Sequence, residues 1–339
     1  MTAQRPTYVY ISLSGEDRLC IFRLNPLTGA LGQRRIVNVP GGPAPLAVDA
    51  EQRTLYVGRR QDRAISSYMI NRADGSLTLI NEAILDADPC YLSVDRSGRF
   101  LFAAYYRAGK VTVHQLDEYG AIGAQVSRVS TAPHAHCVQP DRTNRFVFVP
   151  HTMDANAIYQ FQFDAESGAL TPNQPAQISV APGQGPRHYV YHPHLPRVYV
   201  SNENGNTVTV FDLNQTTGTL AVLQTLSTLP PHWQGTNTVA QIHLHPSGDF
   251  LYVSNRGHDS IAGYFVDSTT GLLSEISLCA TERTPRVFGI SPDGAYLLVA
   301  GQDSGRVAVY AIDADIGELD LLHTYPIGER PLWVLALTF

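Results

Sequence analysis

Cysteine is scarce in this chain of 339 residues: there are four, and none stands in a C-x-x-C pair. Cys20, Cys90, Cys137 and Cys279 lie too far apart in sequence to suggest a zinc knuckle or a disulfide framework, and reduced thiols in a cytoplasmic protein fit better. A basic excess is also missing. The net charge is −6, so nothing in the overall balance points to nucleic acid, and any positive site must be local. No run approaches the roughly 18 apolar residues that indicate a membrane span. The opening stretch, MTAQRPTYVYISLSG, lacks the apolar core of a signal peptide, so none is expected. There is no low-complexity tract and no linker-like shift of composition, which argues for a single domain over residues 1–339. No apolar helical period persists beyond a turn or two. A G-x-S-x-G elbow is absent, which speaks against a serine nucleophile. So is any phosphate-cradling glycine loop of the Walker or dinucleotide type.

What the chain does have is repetition. Runs rich in β-branched and aromatic residues recur about every 50 residues, a period typical of propeller blades. They are Tyr8–Ser12, Leu55–Gly58, Leu101–Ala104, Phe146–Pro150, Val198–Ser201, Leu251–Ser254 and Tyr296–Ala300. A second alternating run follows each, such as KVTVHQL or TVTVFDL. Next comes a glycine turn with a leucine, as in LTGAL, ESGAL or TTGTL, and then a loop into a further strand such as PLAVD or QIHLHP. Four strands per repeat and seven repeats predict an all-β protein, a seven-bladed β-propeller. The chain begins on the second type of strand with nothing to precede it. It ends on an unmatched strand, Leu332–Phe339 (LWVLALTF). The C-terminal strand should therefore complete the first blade as its innermost strand and remove a free edge.

Aligning the repeats on themselves exposes positions that break the pattern. At the entrance of each inner strand stand Ala44, Cys90, His136, Arg187, Ala240 and Arg286. Just beyond each following strand stand Ser14, Arg60, Tyr106, Thr152, Glu203, Arg256 and Gln302. Equivalent places in seven blades form rings about one axis. His136, Arg187, Glu203, Arg256 and Arg286 should converge on one mouth of the channel, with Arg60, Tyr106 and Gln302 near it. A single arginine at a strand end is ordinarily a solvated surface group. Several on one ring repel one another unless an anion sits between them, and the guanidinium fork suits carboxylate or phosphate. Glu203 among them could merely neutralise an arginine, and its pKa should be lowered, which weakens it as a base.

Three H-x-H pairs occur, His134–His136, His192–His194 and His243–His245. The second sits in a proline-flanked turn and His245 heads another, so these are expected at the surface. His243 lies on an inner strand and should point into the channel. No carboxylate cluster accompanies the pairs at ligand spacing, so no metal is expected.

The segments GQGPRHYVYHP, VYVSNENGNTVTVF, QIHLHPSGDFLYVSNRGHDSI, TPRVFGISPDGAYLLVAGQDSGRVAVY and IGERPLWVLAL together resemble the seven-bladed lactonase family. Bacterial propeller-type 6-phosphogluconolactonases belong to it, and fungal carboxy-cis,cis-muconate lactonising enzymes resemble it more distantly. The resemblance covers the whole chain. It implies a site built on His136, Arg187, Glu203 and Arg256, with Arg286 and His243 also at family positions; Arg60, Tyr106 and Gln302, placed near the mouth by the repeat alignment, are expected as further substrate contacts. One departure stands out: the turn after His136 reads CVQPDRTNR where other blades carry a PDG-type turn. The function implied is hydrolysis of an anionic sugar lactone, 6-phosphogluconolactone to 6-phosphogluconate, in the oxidative pentose phosphate pathway. No cofactor, nucleic acid or membrane is implied. A cycloisomerase closing a lactone on a carboxymuconate, or a non-catalytic interaction platform, would share the fold.

Overall fold

The computed structural model describes residues 5–339; residues 1–4, the start of the stretch read above for a signal peptide, lie outside it. The chain forms seven four-stranded antiparallel sheets, each a blade of one propeller. Among the described residues the only helical element is the 3₁₀ turn Met153–Ala155, and no helix is long and apolar enough to cross a membrane. In every blade the second and third strands are almost wholly buried, as Phe146–His151 and Ala157–Phe163 are in the fourth. The fourth strand is the outer one and alternates towards solvent, as in Leu273–Ala280. The core is not central. It consists of seven apolar clusters, each wedged between two adjacent blades, such as Val9, Ile11, Leu298 and Val309 between the first and the last.

The glycine turns that mark the repeat have a packing reason. Gly218 has φ +66°, and a Cβ there would lie 2.0 Å from the ring of Phe146 in the preceding blade. Gly317, with φ +71°, would meet Phe250 at 2.4 Å. Only glycine combines the left-handed backbone with that approach.

Closure follows the expectation. The C-terminal strand Pro331–Thr338 pairs antiparallel with Thr7–Leu13, with Tyr10 opposite Leu335, and is the innermost strand of the first blade. The irregular turn of the fourth blade is the same turn in another spelling. Asp141 accepts the amides of Arg145 and Phe146, as Asp95 accepts those of Arg99 and Phe100 one blade earlier. Asn144, at φ 59°, takes the left-handed place that Gly98 fills at φ 73°. The inner strand of that blade shrinks to Gln139–Pro140. Pro140 has no amide to give, and the Gln139 amide turns to the hydroxyl of Tyr189 at 2.8 Å.

Candidate active site at the channel mouth

The inner strands enter the channel at one face, and the strands paired with them leave at the same face. Several inner strands carry a β-bulge at this entrance. Pro186 pairs with Asn202 and His188 with Ser201, so Arg187 is the extra residue between them. Ala44 and Pro45 interrupt the ladder in the second blade, Ala240 and Gln241 in the sixth. A bulge re-aims side chains that strict alternation would send to opposite faces. Here it turns the ring residues onto one cavity. Ala44, Cys90, His136, Arg187 and Arg286 line it, together with Pro45, Arg60, His188, Gln241, Val287, Leu332 and Trp333. A larger groove lies elsewhere, lined by residues such as Tyr56, Leu79 and Tyr119, and none of the ring residues reaches it.

Arg187 is the centre of the charge arrangement and is 2 % exposed. Its Nε lies 3.3 Å from Glu203 Oε2, outside good hydrogen-bond geometry, and both Nε and Nη1 are buried without a hydrogen-bond partner. Burial above all, and then the charge of Arg256, bring its pKa down to about 10 although Glu203 opposes the shift. Glu203 also pairs through Oε1 with Arg256, whose Nη2 in addition donates to the Val239 carbonyl at 2.9 Å. Its backbone is pinned on both sides, since its amide donates to Gly185 and its carbonyl accepts from Val239. Burial alone would raise the Glu203 pKa, but Arg187 and Arg256 outweigh it and hold the carboxylate below its ordinary range. Arg286 lies in dense protein. Its pKa is pushed well down by burial and by Arg187 and Arg256, and no carboxylate pairs with it among the described residues. Arg60 is held by Asp88, 2.6 Å from Nη2, a carboxylate that sequence reasoning passed over.

His136 is buried, and its amide donates to Pro150 across the shortened blade. Its Nδ1 is 3.1 Å from His188 Nε2. Burial, and after it the charge of Arg187, press the pKa of both imidazoles well below the usual value, so both rings are neutral near pH 7. Tyr106 stands edge-on to His136 with centroids 5.4 Å apart.

His136, Arg187, Glu203, Arg256 and Arg286 thus come together, with Arg60 and Tyr106 beside them. Two other candidates do not join the cluster. Gln302 turns its amide to Asp303 at the exposed surface, because it follows the strand end into a turn rather than into the channel. His243 lies opposite Tyr252, well along the inner strand from Thr238, which pairs with Arg256. It opens on a separate depression with Arg96 and Arg142, next to His245, and burial takes its pKa down to about 4. Conversely, His188 was missed, because alternation places the residue after Arg187 on the opposite face. Only the bulge reveals it, and a bulge leaves no mark in this sequence, so no sequence signal could have found it.

A family model described as "Lactonase, 7-bladed beta-propeller" matches residues 9–336. The chain is 35% identical over 326 residues, 96% of each chain, to a 6-phosphogluconolactonase of Yersinia pestis (strain Pestoides F). It is 36% identical over 332 residues to the 6-phosphogluconolactonase of Yersinia enterocolitica, covering 97% of this chain and 98% of that one. Among solved structures, the periplasmic gluconolactonase of Pseudomonas aeruginosa superposes with a TM-score of 0.91 at 26% identity, covering 98% of this chain and 99% of that one.

Proposed function

This chain belongs to the lactonase family of seven-bladed β-propellers, and on that premise we propose that it is a lactone hydrolase acting on 6-phosphogluconolactone at the channel mouth. The observation that carries the reading is the charge of the ring. Four guanidiniums, of Arg60, Arg187, Arg256 and Arg286, face two carboxylates, of Asp88 and Glu203, and two nitrogens of Arg187, Nε and Nη1, lack a hydrogen-bond partner. Buried, unsatisfied donors beside uncompensated charge are costly unless an anion completes them. A phosphoryl group of charge about −1.5 to −2 at pH 7 matches the excess of two.

In the proposed reaction Arg187 and Arg256 receive the oxyanion that develops when water adds to the lactone carbonyl. His136, neutral and with Nε2 left for the cavity, takes the proton from that water. It returns the proton to the ring oxygen as the acyl C–O bond breaks. Glu203 is bound to two arginines and lowered in pKa, so its part is to hold the arginines rather than to act as base. The product is an open-chain carboxylate and one hydroxyl, with one proton released to solvent. We assign the reaction to the cytoplasm and to the oxidative pentose phosphate pathway, a location that suits four free thiols.

Acid release in a pH-stat, corrected for spontaneous hydrolysis, tests this with 6-phosphogluconolactone and gluconolactone in parallel. The phosphorylated lactone is expected to give the higher kcat/KM. Equal turnover of both removes the phosphate assignment, and turnover of neither sinks the lactonase reading and favours a cycloisomerase or a non-catalytic platform.

A further inference from the structure

The mechanism above uses one nitrogen of His136 and leaves the other unexplained. That other nitrogen, Nδ1, meets Nε2 of His188 at 3.1 Å. We propose that His188 is a positioning residue that accepts a hydrogen bond from His136 Nδ1–H, fixing the tautomer in which Nε2 carries the free lone pair into the cavity. The inference rests on the base role given to His136.

Three observations support it. First, two neutral imidazoles share a single proton along an Nδ1···Nε2 contact, so one ring must donate and the other accept. If His136 donates, its Nε2 is a base. Donation in the other sense would leave Nε2 protonated and unable to take a proton from water. Second, His188 is held firmly. It is buried, its amide donates to Ser201 Oγ, and its ring packs edge-on to Tyr91 at 5.0 Å and against Trp333 of the closing strand at 6.2 Å. A ring so confined cannot swing away as the charge on its partner changes. Third, the surroundings explain why the acceptor is an imidazole. The groups facing His136 are Arg187 and His188 from the fifth blade, Arg286 from the seventh, and Tyr106 and Cys90 from the third. An anionic substrate must bind among these cations. A carboxylate in the place of His188 would neutralise them and repel the substrate, whereas a neutral imidazole accepts the bond without adding charge. When His136 becomes imidazolium, the Nδ1–H···Nε2 bond becomes charge-assisted and shortens, which stabilises the intermediate.

The test combines nitrogen NMR with kinetics on His188→Phe and His188→Gln, the second retaining an acceptor oxygen at similar reach. In the unmodified protein, ¹⁵N shifts of the His136 ring are expected to show the proton on Nδ1. His188→Phe is expected to lower kcat on the order of 10²-fold, the lower end of what a positioned base contributes, with little change in KM. It should also move the acidic limb of the kcat/KM profile to lower pH, because the imidazolium loses its acceptor. His188→Gln should recover part of the rate and bring the limb back. A proton found on Nε2 overturns the proposal. So does an unmoved limb with both variants equally impaired, which is what loss of packing alone would give. His136→Asn separates the premise from the inference. If that variant still hydrolyses lactone, the base role falls, while the NMR result still decides the direction of the hydrogen bond.

Discussion

At the scale of single residues, the site is an arrangement of like charges made tolerable by Glu203. Glu203→Gln keeps the shape but leaves Arg187 and Arg256 without their counter-charge. Breaking a buried pair in this way costs about 3 kcal/mol or more. The expected outcome is a lower melting temperature and a raised KM, with the shape of the pH–rate profile retained. Loss of the acidic limb in Glu203→Gln, but not in His136→Asn, would exchange the roles of the two. Arg286 makes a different test, since no carboxylate pairs with it among the described residues. Arg286→Ala should raise KM for the phosphorylated lactone by about 10-fold and leave gluconolactone nearly unchanged, if its contact is with the phosphoryl group throughout the reaction. Parallel losses on both substrates would place Arg286 at the oxyanion instead.

At the scale of elements, the bulged inner strand and the glycine turn matter most. The bulge puts two consecutive residues, Arg187 and His188, on one cavity. The glycine turn lets most blades press their backbone against an aromatic ring of the blade before, as Gly168 meets Phe100 and Gly218 meets Phe146. Gly218→Ala requires the Phe146 ring to give way by more than an ångström and strains a left-handed backbone. A destabilisation of about 1–3 kcal/mol is expected, the range of overpacking in a dense core, read as a shift of the denaturant midpoint at unchanged slope. Wild-type stability in that variant would mean that the blades are packed more loosely than this contact implies.

At the scale of the whole molecule, the ring is closed by one strand. Removing residues 331–339 exposes the edge of Thr7–Leu13 and takes away the buried Val334, Ala336 and Leu337. At roughly 1.5–3 kcal/mol each for Val334 and Leu337, the loss reaches the low end of a whole domain's stability before the broken strand pairing is counted. The truncated chain is expected in the insoluble fraction or without a cooperative transition, and a soluble, cooperatively folding product would contradict closure by this strand. Acid should also unfold the protein through its buried imidazoles. His114 and His151 are pushed down to about 4 by burial, and His136 and His188 are lowered too. Below pH 6.5 the unfolded chain binds protons that the folded one refuses. Stability therefore falls as pH falls from about 6.5 towards 4, by about 1.4 kcal/mol per pH unit for each such ring. The lowered Glu203 acts in the same direction further down, since its stabilisation is lost as pH drops through its folded pKa. Melting curves between pH 7.5 and 4.5 check the slope, and a flat response would mean that these rings are hydrated.

The sequence by itself determined the number of blades, the four strands in each, the closure by Pro331–Thr338 and the ring that holds His136, Arg187 and Arg286. These follow from local periodicity repeated seven times, which multiplies a weak signal and makes departures from it visible. Where a repeat position is occupied by arginine or histidine in place of a small residue, the exception can be read without any coordinates. The tertiary structure alone decided which neighbours of the ring share its cavity. His188 joins it and Gln302 does not, because a bulge adds one residue on one strand and a turn bends away on the other. Neither event changes hydrophobicity or period. The same holds for the contacts on which the proposed division of labour between Glu203 and His136 rests. That division depends on which side chain two arginines clasp and which one an imidazole meets, and such contacts join residues from different blades that no alignment of repeats can set at a distance of 3 Å.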